Sequence, residues 1–250
     1  MVYSSYVAIG DSFTEGVGDD LPDGSVRGWA DLVAQGLALA SSGTVTYANL
    51  AIRGRLLGPI ATGQLEAAIA LKPALLSING GGNDIMRPRV SIDSIADQLL
   101  EAVDTARGAG IHVVLASGAN PTRHIPLGPA IEKRGNQLAR AVGQRLPREG
   151  VTWVDNWADA ELARLHYWSV DKLHLNAAGH ARVAGNVLAA LGIPIHSAAA
   201  VENDIARPRT SAYWREYVLP WVGRRLTGRS SGDNREPKIA TLQPVVPTSR

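Results

Sequence analysis

The sequence has 250 residues, 45% hydrophobic and 19% charged, with a formal net charge of +2 at pH 7; that is enough chain to bury one large core and too little basic excess for a nucleic-acid-binding domain. There is no cysteine, which excludes disulfides, thiolate nucleophiles and thiolate metal sites. No run of about 18 apolar residues occurs, so nothing reads as a membrane-spanning helix.

In chain order, Tyr6-Val7-Ala8-Ile9 reads as a buried strand that stops at Gly10-Asp11-Ser12. A loop rich in Gly and Asp runs from Gly16 to Gly28, and Trp29 to Ala40 carries apolar residues at helical spacing. Thr44 to Ala51 is rich in β-branched residues and reads as a second strand. Ile60 to Leu71 is a short helix closed by Lys72-Pro73, and Ala74 to Ile78 is a third strand. Ser91 or Asp93 caps a helix running to Gly108, with Ile95, Leu99 and Val103 on one face. Ile111 to Ala116 is a fourth strand, Ile131 to Leu146 a helix, Val151 to Val154 a short fifth strand, and Asn176 to Leu191 the closing helix. Strands alternating with helices predict an α/β fold, a three-layer α/β/α sandwich around a five-stranded parallel sheet in the flavodoxin-like order 2-1-3-4-5.

Residues 1–195 form this domain. In residues 196–228 the pattern breaks: Ala212 to Arg225 carries Tyr and Trp at roughly helical spacing among arginines. The ordinary reading is a helix packed on the core or on a partner; peripheral membrane contact through 212–225 is the minority reading. Residues 229–250 are rich in Ser, Gly, Pro and charge and read as a disordered tail. The basic character is concentrated here, with nine Arg or Lys against five Asp or Glu from residue 201 onwards.

The residues able to do chemistry stand in the loops at the ends of the strands. In open α/β sheets ligands bind beyond the carboxyl ends of the strands, and Ser12 falls there as a candidate nucleophile. Asp171 and His174, three apart in the turn entering the last helix, suit an orienter and a base, the carboxylate fixing one imidazole nitrogen and freeing the other for the serine proton. Gly54 and Asn83 each come after an apolar run, and a glycine N–H, an asparagine amide and the Ser12 N–H are the donors an oxyanion needs.

Gly10-Asp11-Ser12, Gly54, Gly81-Gly82-Asn83-Asp84 and Asp171-Lys172-Leu173-His174, in that order, resemble the blocks of the SGNH (GDSL-type) serine hydrolases over roughly residues 4 to 192. The resemblance implies serine esterase or lipase chemistry on carboxylic esters without metal or cofactor, with Ser12, Asp171 and His174 as catalytic triad and Ser12, Gly54 and Asn83 as oxyanion hole. Phe13 stands where the family name has leucine, and Arg55 comes directly after Gly54. Trp168, just before Asp171, reads as an apolar wall for a short acyl or acetyl group, and Arg55 as a contact for a polar substrate. The alternatives are an acyltransferase using the same site and a non-catalytic binding protein acting through the C-terminal stretch. The expected partner is a small-molecule ester. A secretory signal takes about 15–30 residues and is cut away; with the nucleophile at residue 12, cleavage would remove it, so the expected location is cytoplasmic.

Overall fold

In the computed structural model, which describes residues 3–194 and 232–247, strand β1 (Ser5–Ile9) is buried from Tyr6 onwards and divides the core in two. Successive strand side chains point to opposite faces. Tyr6 and Ala8 join a cluster with Trp29, Val33, Leu37, Val183 and Val187, while Val7 and Ile9 join one with Leu57, Leu99, Val103 and Ile131. A strand apolar on both faces is stable only with a layer of helices on each side, as in parallel sheets.

Those layers come from the elements between the strands. The nucleophile candidate opens a one-turn helix α1 (Ser12–Glu15), and then come α2 (Trp29–Ala40) and strand β2 (Thr46–Asn49). Next are α3 (Leu57–Pro59), a π-helical turn over Ile60–Gln64, α4 (Leu65–Ala70) and strand β3 (Leu75–Ile78). The short α5 (Gly82–Ile85) and the long α6 (Ile92–Gly108) precede β4 (His112–Ala116); α7 (Gly128–Gly143) precedes β5 (Val151–Val154), and α8 (Ala177–Ala190) closes the domain. Helices α2 and α8 pack together on one face of the sheet, and α6 and α7 on the other.

The five parallel strands lie in the expected order, with β1 between β2 and β3, so the loops after β1, β2 and β3 are neighbours. Ser91 caps α6 through its hydroxyl, which accepts from Ser94 N–H. Asn176 is the cap of α8, its side chain accepting Gly179 N–H at 3.0 Å, rather than its first residue. Helix α7 starts and ends three residues earlier than its apolar spacing predicts, because Pro129 supplies a first turn whose missing N–H costs nothing there.

A sixth strand, β6 (Ile239–Pro244), pairs antiparallel with β2, Asn49 opposite Ile239 and Thr46 opposite Pro244. The sequence reading places these residues in a disordered tail. They are ordered because β2 ends the parallel sheet with a free row of N–H and C=O groups, an edge that extended chain can cover. Of this segment only Ile239 and Leu242, with Val245 just beyond it, pack against the core, too sparse an apolar pattern to announce a strand. The aromatic stretch 212–225 lies outside the described residues. Among the described residues no helix is long and apolar enough to cross a membrane.

One buried side chain ties the two ends of the domain together. His180 of α8 is wholly buried; it accepts Trp29 N–H at Nδ1 (3.2 Å) and donates from Nε2 to Val17 O (3.2 Å). Burial pushes its pKa down to about 4. The stability it lends is therefore complete above its unfolded value of about 6.5 and is lost as pH falls towards 4. Asp11 acts oppositely: burial pushes it up to about 6, so its contribution is fullest below the unfolded value and is lost as pH rises through 6. Thermal midpoints measured from pH 7 to 4.5 should fall more steeply for wild type than for His180→Gln, whose amide can keep both hydrogen bonds without titrating. Parallel curves would refute this role.

Candidate active site

Asp11 is the N-cap of α1, its Oδ1 accepting Phe13 N–H at 3.0 Å, and Ser12 is the first helical residue. The first N–H groups of a helix have no intrahelical acceptor, and Ser12 N–H donates to none of the described residues. Its hydroxyl is 3.1 Å from His174 Nε2. This contact joins residues 162 apart in sequence.

The imidazole is held by a tight turn. An antiparallel bridge between Trp168 and Leu175 closes the loop, Ser169 N–H donates to His174 O at 2.8 Å, and Lys172 takes a left-handed conformation, φ 59°. Inside it, Asp171 Oδ1 accepts from Ser169 Oγ (2.6 Å), Leu173 N–H (2.9 Å) and His174 N–H (2.9 Å), while Oδ2 faces His174 Nδ1 at 2.6 Å. Burial pushes the Asp171 carboxyl up, but the His174 charge and the hydrogen bonds from His174 and Ser169 outweigh it and hold the group well below the usual carboxylate range. The carboxylate is thus ionised and points one lone pair at Nδ1, leaving Nε2 directed at the serine.

The third wall comes from the loops after β2 and β3. Gly54 sits at φ 76°, a backbone conformation that favours glycine, and its N–H donates to none of the described residues. Asn83 Nδ2 donates to Asp11 Oδ2 (3.1 Å) and to Arg55 O (3.0 Å), so both amide hydrogens have acceptors within the protein. Asp84 Oδ2 accepts Leu57 N–H at 3.0 Å and ties the two loops together. Gln64 grips Gly10 from both sides, accepting its N–H and donating to its carbonyl.

Ser12, Gly54, Asn83 and His174 all border one cavity of about 700 Å³. Arg55 also borders it, and its backbone carbonyl rather than its charge holds Asn83. Trp168 is 1% exposed and donates its indole N–H to Leu162 O at 2.8 Å; it is a core residue that reaches the cavity with one edge. Leu99, Leu115, Ile131, Leu138 and Val142 border the same cavity between the sheet, α6 and α7; all but Leu138 are buried core residues as Trp168 is. Sequence reasoning missed Glu15, buried at the end of α1, whose carboxylate accepts Arg53 N–H (2.6 Å), Nε (2.8 Å) and Nη2 (2.5 Å). Its only signal is an acidic residue three positions after the serine. Among the described residues no group of three or more His, Asp or Glu side chains is arranged to hold a metal ion.

Residues 8–182 match the model of the GDSL-like lipase/acylhydrolase family. A search of curated proteins gives no match. Among solved structures, the lipase Lip_vut3 from a goat rumen metagenome superposes with a TM-score of 0.64 at 19% identity, covering 74% of this chain and 96% of that one. TesA gives 0.61 at 24% identity, with 75% and 97% covered. Axe2, an acetylxylan esterase from Geobacillus stearothermophilus, gives 0.59 at 20% identity, with 76% and 95% covered. These likenesses show a common fold.

Proposed function

The chain belongs to the GDSL-like lipase/acylhydrolase family, and on that footing we propose that it hydrolyses carboxylic esters through an acyl-enzyme on Ser12. The observation that carries this reading is the relay from Ser12 Oγ to His174 Nε2 (3.1 Å) and from His174 Nδ1 to Asp171 Oδ2 (2.6 Å). A serine hydroxyl needs an adjacent base, and the base needs an orienter. His174 takes the proton of Ser12 as Oγ bonds to the carbonyl carbon. The tetrahedral oxyanion lies among the N–H groups of Ser12 and Gly54, and the Asn83 amide joins them by turning one hydrogen away from Asp11 Oδ2 or Arg55 O. Collapse breaks the bond to the alcohol oxygen, which leaves with the proton from His174. Water then repeats the attack, freeing the acid and restoring Ser12.

The size of the cavity supports an acyl group longer than the short or acetyl group expected from the sequence. A cavity of about 700 Å³ with an aliphatic inner wall rewards chain burial at about 0.8 kcal/mol per CH₂. Four methylenes, the difference between butyryl and octanoyl, add up to about 3 kcal/mol as an upper bound. For p-nitrophenyl acetate, butyrate and octanoate, kcat/KM should rise with chain length. Leu138→Trp, which fills the inner cavity, should cut octanoate turnover at least about tenfold while sparing acetate. An acetate optimum left unchanged by Leu138→Trp would overturn the acyl assignment.

A further inference from the structure

We infer that residues 232–244 form a C-terminal strap that positions the oxyanion loop against the nucleophile turn, with Lys238 as its principal positioning residue. The inference rests on the roles proposed above for Ser12 and Gly54. The strap lies outside the stretch that matches the family model, which ends at residue 182.

Lys238 has three N–H donors and each has an acceptor: Glu15 O at 2.6 Å, Val26 O at 3.1 Å and Asp31 Oδ2 at 2.6 Å. These acceptors belong to three different pieces of the domain: the end of α1, the loop before α2, and the first turn of α2. The Glu15 carbonyl is one of the last of a four-residue helix. A helix that short has no stability of its own and depends on what satisfies its ends. Lys238 therefore anchors the far end of the turn whose first residue is Ser12.

The opposite side of Glu15 faces the oxyanion loop. Its carboxylate holds both the backbone N–H and the guanidinium of Arg53, the residue before Gly54, and Arg235 of the strap adds a cation 3.6 Å from Glu15 Oε1. The strap also reaches this loop directly. Gly232 is buried so closely that a Cβ there would lie 2.1 Å from Arg53 O. Asp233, next along the strap, borders the active-site cavity. Beyond Lys238, β6 pairs with β2, the strand that leads into Gly54. The strap thus holds the loop at its backbone, its charge pair and its parent strand. Displacing the loop moves the Gly54 N–H away from the position that the oxyanion occupies.

The experiment uses the full chain with two substitutions. Lys238→Met keeps the stem and removes the three donors; Gly232→Ala leaves Lys238 in place and lifts the strap from Arg53. In each, kcat on the preferred p-nitrophenyl ester should fall about ten- to a hundredfold with KM little changed, a fraction of the loss for deleting an oxyanion donor. Lys238→Arg should recover part of it. Amide hydrogen exchange over residues 12–16 and 52–56 should rise in both variants, a readout that needs no turnover. A kcat within about twofold of wild type in both folded variants, or unchanged exchange at 52–56 in both, would overturn the strap. If wild type hydrolyses no ester, the catalytic reading fails on its own, and the exchange data alone decide for or against the strap.

Discussion

Ser12→Ala should fold like wild type and lose on the order of 10⁶ in kcat, the loss expected when the nucleophile of a concerted triad is removed. The fold should survive because the hydroxyl makes no contribution to the cap of α1. Asp11 provides that cap, and the hydroxyl's hydrogen bond to the described residues goes to His174 alone. Removing it deletes the bond-forming atom and leaves the surrounding donors in place. The measurement is p-nitrophenol release from octanoyl and butyryl esters, compared at equal circular dichroism and equal thermal midpoint. A second readout is covalent labelling by a fluorophosphonate, which should reach Ser12 in wild type and nothing in the variant. Residual turnover within about tenfold of wild type would show that another group attacks the ester.

Asp171→Asn should cost about 10⁴ in kcat, for a reason that geometry makes specific. In wild type Asp171 Oδ2 faces Nδ1 at 2.6 Å as an acceptor, so Nδ1 carries the proton and Nε2 is free to accept from Ser12. The other oxygen is occupied by Ser169 Oγ and two backbone N–H groups. An asparagine must keep its carbonyl towards those three donors and present its NH₂ to the imidazole. Nδ1 then becomes an acceptor, the proton moves to Nε2, and His174 can no longer take the serine proton. Stability should change less than activity, because three of these four hydrogen bonds survive unchanged and the fourth only reverses its direction. The measurement is kcat against thermal midpoint for Asp171→Asn beside Asp171→Ala. Loss of activity only in step with loss of folded protein would make Asp171 a turn residue without a part in the relay.

The residues behind both expectations were legible in the sequence because strand ends and the Asp171–His174 spacing are local, whereas the contact that joins Ser12 to His174 spans 162 residues. Apolar runs broken by Gly-Asp-Ser, by Gly54 and by the Gly-Gly-Asn-Asp block give strands that end at one edge of a parallel sheet. The 2-1-3-4-5 order then makes their loops adjacent. Asp171 and His174 lie within one turn, so their spacing already brings the two side chains within reach. Alternation between strand and helix sets the layers for the same reason, since period-2 and period-3.6 patterns are properties of neighbouring residues.

Other features depend on partners far along the chain and become visible only in the folded molecule. The segment from Ile239 to Pro244 has no strand signal of its own; it is a strand because β2 offers an unpaired edge. Glu15 is only an acidic residue three positions after the serine until the fold places Arg53 and the strap against it. The apolar cavity lies between the sheet, α6 and α7, so Leu99, Leu138 and Val142 border it while packing in the core, and Trp168, which reads as a pocket wall, borders it as well with its indole N–H bonded to Leu162 O. Local patterning was therefore enough to say which residues could perform the chemistry and at which edge of the sheet they stand. Long-range pairing and packing set how the loop around Gly54 is held and how large the cavity is, because those energies reside in contacts between residues that the sequence keeps far apart.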